Sequence, residues 1–218
     1  MSGRPAALLF DWDNTLVDSW RVIHAAMNET LDAMGHPRWS RAEAETRIRA
    51  SMRDSFPGLF GERWHDAEKT FYAAFERLHM EQLEPLPGAA DLLAWAAEAG
   101  FYLGVVSNKR GSYLRKEASH LGWDKYFTAL AGAGDAARDK PAREHVQLAL
   151  DPGNLQPGAH VWFIGDTDID LICGHNTGCV PVLIRPQAPH VGEFGEAAPR
   201  RLFSCPFRTS GRASGSLD

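Results

Sequence analysis

Asp11 and Asp13 stand two residues apart, directly after the apolar run Ala7-Leu8-Leu9-Phe10. A second acidic group, Asp166, Asp168 and Asp170, follows another apolar run at 160–164 through Gly165. Side chains two apart in an extended chain point the same way. Each group can therefore offer more than one carboxylate to one place. If the two runs are neighbouring strands, the acids converge at one sheet edge. Two unit charges ~4 Å apart repel by about 4 kcal/mol at an effective dielectric of about 20. Such a cluster calls for a cation, and an all-oxygen donor set suits Mg²⁺. Asp is also common in solvated turns, so one such motif alone says little. Two of them, each at the end of an apolar run, point to a built site.

Two further pieces suit an anion. Val105-Val106-Ser107-Asn108-Lys109 ends a third apolar run with a hydroxyl that can donate to a phosphate oxygen. Asp139-Lys140-Pro141 supplies an ammonium that can hold a phosphoryl group and offset carboxylate charge. Taken singly, a serine there is a turn residue and a lysine is solvated.

Positioning these groups needs a scaffold. Short apolar runs at 7–10, 101–106, 129–131, 160–164 and 180–184 are bounded by Gly, Asp, Asn or Pro. Continuous hydrophobicity of this kind is the pattern of parallel strands covered on both faces. Helical patterns at 91–99, 113–121 and 142–150 lie between them. Alternating strands and helices predict an α/β fold with a doubly wound, mainly parallel, five-stranded sheet. From Ser19 to Leu83 the strand signal disappears. Trp20, Ile23, Met27, Leu31 and Met34 fall on one helical face, as do Trp64, Ala67, Phe71, Phe75 and Leu78. A third helix is expected over 41–52, with 51–61 a Gly- and Pro-punctuated loop. This insertion is too long for a simple βα loop. It either adds core or forms a lid over the carboxyl end of the first strand, where ligands of open α/β sheets bind. The expected division is a Rossmann-like core over 1–17 and 86–207, a helical cap over 18–85 and a flexible tail over 208–218.

The ordered set Asp11-Trp12-Asp13-Asn14-Thr15, Ser107-Asn108, Lys140-Pro141 and Gly165-Asp166-x-x-x-Asp170 resembles the haloacid dehalogenase superfamily. The insertion resembles that family's helical type-1 cap, and the likeness spans about 7–184. Val106-Ser107-Asn108-Lys109, Leu121-Gly122-Trp123 and Tyr126-Phe127 are similar to phosphoglycolate-phosphatase-like members. The resemblance implies roles for these positions. Asp11 would attack phosphorus to form an aspartyl phosphate. Asp13 would protonate the leaving alkoxide and then take a proton from water. Ser107, Asn108 and Lys140 would grip the phosphoryl oxygens. Asp11, the Asp13 backbone carbonyl, Asp166 and Asp170 would hold Mg²⁺, Asp170 directly or through water.

The family's commonest first motif has Gly where this chain has Asn14; Asn also tolerates left-handed backbone. True dehalogenases of the superfamily lack an acid at position 13, so Asp13 favours phosphoryl transfer. The family's phosphonate hydrolases use a cap lysine as a Schiff base. Here Lys69 is the insertion's only lysine, and nothing in its helical stripe singles it out. The expected activity is a Mg²⁺-dependent phosphatase acting on a small phosphomonoester, with phosphoglycolate leading. A sugar-phosphate or nucleotide phosphatase, a phosphomutase, or a catalytically idle binding protein of the same fold are the alternatives. Arg53 is a candidate to meet an anionic leaving group with its forked guanidinium, against the plain alternative of a solvated arginine.

Other signals fall away. Gly132-Ala133-Gly134 mimics a dinucleotide fingerprint, but Lys140-Pro141 interrupts the helix that should follow. Cys173, His175 and Cys179 lack paired zinc-ligand spacing. Across 218 residues, 44% hydrophobic and 23% charged content is globular, and the length suits one or two domains. There is no apolar run of ~18 residues to span a membrane. Three cysteines without CxxC spacing fit a reducing compartment, so the expected location is the cytoplasm. The net charge is −5, and the basic Arg200, Arg201, Arg208 and Arg212 lie at the C-terminal end, so the rest is acidic and ill-suited to nucleic acid. The expected partner is a small phosphorylated metabolite, with the chain a monomer or homodimer.

Overall fold

Strand β1, Ala7–Phe10, is buried at every position, as a central parallel strand must be. The computed structural model describes residues 4–48, 51–185 and 188–204. After β1 come β2 (Val17–Asp18), α1 (Trp20–Met34), α2 (Arg41–Arg47), α3 (Met52–Phe60), α4 (Trp64–Leu78) and β3 (Glu84–Pro85). Helices and strands then alternate through α5 (Ala89–Glu98), β4 (Tyr102–Arg110), α6 (Gly111–His120), β5 (Ala129–Ala133) and α7 (Arg143–Leu150). The chain closes with β6 (Val161–Gly165), α8 (Asp168–Thr177), β7 (Val180–Arg185) and β8 (Arg201–Ser204).

The main sheet has the order β5-β4-β1-β6-β7-β8, with every neighbouring pair parallel. The chain works outward from β1 through β4 to β5, then crosses back to β6 and outward again to β8. That reversal beside β1 is the place where doubly wound sheets bind ligands. Alternate residues of β1 feed opposite cores. Leu8 and Phe10 pack with Leu93, Val105 and Leu114, while Ala7 and Leu9 pack with Val146, Leu150 and Phe163. The expectation of five strands is corrected to six. β8 is an edge strand that starts at Arg201, straight after Pro199-Arg200, and leaves Leu202 and Phe203 exposed. It carries no covered apolar run for sequence reasoning to find.

Helices α1 to α4 build a separate core around Met27, Leu31, Phe56, Phe71 and Phe75. The helix expected over 41–52 is present only as α2, Arg41–Arg47. Ser40 and Glu43 form a capping box at the start of α2, but Ile48 and Ser51 are both extended. The loop expected over 51–61 is instead α3, with Pro57 inside it. Pro57 removes only the bond that would reach the Arg53 carbonyl. Burial of Phe56 and Phe60, 5.0 Å apart edge to face, with Phe71 6.1 Å from Phe56, outweighs that loss. The chain leaves and rejoins the main sheet through a two-stranded antiparallel ribbon, in which Val17 faces Pro85 and Asp18 faces Glu84.

The glycines of Gly132-Ala133-Gly134 answer to packing. A Cβ on Gly132 would stand 2.4 Å from the Gly111 Cα, so the two backbones cross in contact. Cys173 and Cys179 are buried free thiols, and His175 meets the Ala198 carbonyl at 2.9 Å. Cys205 and the expected tail over 208–218 lie outside the described residues. Among the described residues no helix is long and apolar enough to cross a membrane.

Candidate active site

Parallel pairing sets Phe10 between Val105 of β4 and Ile164 of β6. The Asp11 amide donates to the Ile164 carbonyl at 2.8 Å. Asp11 and Asp166 therefore emerge together where β1 and β6 end, and Ser107, within β4, lies two residues past Val105, the partner of Phe10. One carboxylate oxygen from each of Asp11, Asp166 and Asp170 lies within 4.8 Å of the others. Asp168 stays outside this cluster; its Oδ1 accepts from the Ile169 amide at 3.0 Å. Asp170 is buried and closes a capping box at the start of α8, where Thr167 Oγ1 donates to its Oδ2 at 2.8 Å. The site needs glycine at position 165, because a Cβ there would stand 2.2 Å from the Asp170 Cγ.

Lys140 enters from the connection between β5 and α7. Its Nζ donates to Asp11 Oδ1 and to Asp170 Oδ1, both at 2.7 Å. Thr15 Oγ1 donates to Asp166 Oδ1 at 3.3 Å, and Asn14 takes φ +62, the left-handed backbone that asparagine tolerates. Burial raises the Asp11 carboxyl to about 7, opposed by Lys140 and reinforced by Asp170. Asp166 is raised well above the usual range by burial, then by Asp170 and Asp11. Burial works against the Lys140 ammonium, yet Asp11 and Asp170 outweigh it and hold its proton more tightly than usual. One ammonium among three clustered carboxylates leaves negative charge to neutralise. The residues therefore fit a hard divalent cation such as Mg²⁺.

The sign of this arrangement makes a prediction. A carboxyl whose pKa is raised in the folded state adds stability as pH falls through about 7 towards 3.8, and loses that contribution as pH rises. A divalent cation competes with the proton for the same oxygens. Adding Mg²⁺ is therefore expected to raise Tm more at about pH 8 than at about pH 6. A calorimetric shift that is no larger at the higher pH contradicts this account of the cluster.

Asp13, the other expected catalytic acid, is not one of the three clustered carboxylates and is held by a lysine of its own. Lys109 Nζ donates to Asp13 Oδ1 at 2.6 Å and to Glu117 Oε2 at 2.7 Å. Glu117 also accepts from Trp12 Nε1 at 2.7 Å, and its Oε1 lies 2.8 Å from His79 Nδ1. Burial pushes the Glu117 carboxyl up, but Lys109, His79 and Trp12 outweigh it and hold it below the usual range. Sequence reasoning quoted Lys109 only as part of a motif, with no role of its own, and passed over Glu117 and His79. The one available signal was Glu117 itself, a charge on the same helical face as Leu114, Ala118 and Leu121.

Ser107 is buried, and its Oγ accepts from the Lys109 amide at 3.2 Å, leaving its hydroxyl proton to donate. Asn108 Nδ2 reaches the Lys140 carbonyl at 3.4 Å. A cavity of about 390 Å³ opens above these groups, with Asp11, Asp13, Ser107 and Lys140 on one side and α1, α3 and α4 on the other. Arg53 does not line this cavity. Its guanidinium pairs with Asp139 at 2.6 Å and faces a neighbouring cleft beside Arg138 and Pro141.

The sequence model of the haloacid dehalogenase-like hydrolase family matches residues 8–184. A pyrophosphatase PpaX of Bacillus velezensis is 26% identical over 175 residues, covering 80% of this chain and 81% of that protein. A phosphoglycolate phosphatase of Psychrobacter arcticus is 27% identical over 181 residues, covering 78% of each chain. The crystal structure of a putative haloacid dehalogenase-like hydrolase from Bacteroides fragilis superposes with a TM-score of 0.84 at 21% identity. That match covers 94% of this chain and 99% of the other.

Proposed function

The chain belongs to the haloacid dehalogenase-like hydrolase family and is one of its phosphatases; from that premise we propose a Mg²⁺-dependent hydrolysis of small phosphomonoesters through an aspartyl phosphate. The observation that carries the reading is the gathering of Asp11, Asp166 and Asp170 around Lys140 at the end of β1. Asp11 attacks phosphorus as the bond to the leaving oxygen breaks. Asp13 gives that oxygen its proton. Asp13 then takes a proton from the water that attacks the aspartyl phosphate, releasing phosphate and restoring Asp11. Ser107, Asn108 and Lys140 grip the phosphoryl oxygens throughout. Asp11, Asp166, Asp170 and the Asp13 carbonyl hold Mg²⁺, which when bound neutralises charge on the carboxylates and the phosphoryl group. Residues 18–85 act as the cap that covers this site. The reading also keeps the enzyme in the cytoplasm, where buried Cys173 and Cys179 remain thiols.

Phosphoglycolate leads among substrates, supported by the motif likeness and the relative of that name. One observation favours a second choice. The cap side of the cavity is walled by Ile23, Met27, Met52, Phe56, Leu59 and Phe71. The arginines beside it, Arg47 of α2 and Arg110 of β4, already have partners: Arg47 pairs with Glu43 at 3.8 Å, and Arg110 pairs with Glu68 at 3.0 Å and stacks 3.5 Å over Tyr72. Such a wall suits an apolar or aromatic leaving group. Turnover of p-nitrophenyl phosphate is expected with Mg²⁺, to be abolished by EDTA and restored by excess Mg²⁺. No turnover under any of these conditions would refute the hydrolase assignment and favour an idle binding protein. A panel of phosphoglycolate, aryl phosphates, sugar phosphates, nucleotides and pyrophosphate then ranks the substrates by kcat/KM.

A further inference from the structure

Asp13 reaches the helical cap through a chain of buried polar side chains that the hydrolysis scheme leaves unused. The Lys109 side chain is 4% exposed, and those of Glu117 and His79 are each 1% exposed. From the core side, Lys109 Nζ is fixed by Glu117 Oε2 at 2.7 Å, and the same oxygen accepts from Trp12 at 2.7 Å. From the cap side, His79 at the end of α4 holds Glu117 Oε1 at 2.8 Å. Phe75, also of α4, lies 5.1 Å beneath the ammonium. The Lys109 head is therefore held by α6, through Glu117, and by α4, through Phe75, before it meets Asp13 at 2.6 Å.

We propose that Lys109 is a positioning residue that fixes which oxygen of Asp13 handles the proton. The inference rests on the reading of Asp13 as proton donor to the leaving group. A carboxyl proton can sit on either oxygen. Lysine has only donors, so its bond to Oδ1 keeps that oxygen an acceptor. The proton then belongs on Oδ2, which has no hydrogen-bond partner among the described residues, and Asp13 lines the cavity. Glu117 and His79 hold Lys109 in place. The cap thus bears on the acid through two buried contacts.

The test uses two nearly isosteric substrates. p-Nitrophenolate leaves without a proton, whereas phenolate needs one more. kcat/KM covers the steps up to departure of the leaving group, so the later hydrolysis of the aspartyl phosphate does not enter. Lys109→Met keeps the buried stem and removes the donor. It is expected to lose about 10²-fold in kcat/KM on phenyl phosphate and less than about fivefold on p-nitrophenyl phosphate. Asp13→Asn should show the same split, and Lys109→Arg should recover part of the loss on phenyl phosphate. If Lys109→Met does not fold, Glu117→Gln, which leaves the ammonium in place but loosens its anchor, is expected to show a smaller split of the same sign. Equal losses on both substrates, or none, overturn the proposal while leaving the phosphatase reading intact. Failure of the unmodified protein to hydrolyse either ester strikes at that reading first.

Discussion

Asp11→Asn is expected to lower kcat on any accepted phosphomonoester by about 10⁴-fold or more, with the fold unchanged. The amide oxygen carries no charge and cannot form a stable acyl phosphate, so the first step has no substitute. Position 11 tolerates the change structurally. Asparagine matches the shape of aspartate and still offers an oxygen to Lys140, which lies 2.7 Å away. The native carboxyl is raised to about 7 by burial, so above that pH the metal-free fold carries it at a disadvantage. Removing the charge should leave Tm of the metal-free protein level or higher at about pH 8. A variant that stays folded by circular dichroism yet retains undiminished turnover removes Asp11 from the nucleophile's role.

Lys140→Met should damage both activity and stability. Its side chain is 2% exposed, and the ammonium lies between Asp11 and Asp170. Removing one partner from a buried ionic group costs about 3–5 kcal/mol, because the remaining charges lose their compensation. Losing a donor to the transferring phosphoryl group costs a further ~10²–10³-fold in kcat. Chemical denaturation measures the first effect, and steady-state kinetics the second. Added Mg²⁺ is expected to recover part of the lost stability, since it neutralises the same carboxylates, but not the rate. A variant as stable and as active as the parent would show that Lys140 neither compensates the acids nor holds phosphate.

The contrast between what the sequence reveals and what it hides follows from range. β1 and β6 are legible because central parallel strands must be apolar on both faces, and the acids that end them interrupt that pattern. β8 is hidden because an edge strand is released from that requirement. α3 is hidden because Pro57 and Gly58 send a local signal that the burial of Phe56 and Phe60 overrules. The Lys109–Glu117–His79 chain is hidden for a third reason. Its partners come from distant segments: Trp12 and Glu117 are 105 residues apart, and Asp13 and Lys109 are 96 apart. Only folding brings them together. Arg53 follows the same rule, since nothing near it in sequence announces Asp139 as its partner.

The ribbon of Val17–Asp18 with Glu84–Pro85 makes the helical segment an excursion that departs and returns at one address. Asp18 and Glu84 face each other across a single rung, so splicing out residues 19–83 leaves two chain ends that a two-residue turn can join. The sheet does not depend on what hangs there for its strand order. Evolution can thus lengthen, trade or rebuild that block as one genetic cassette while the strand order that gathers Asp11, Asp166 and Asp170 stays as it is.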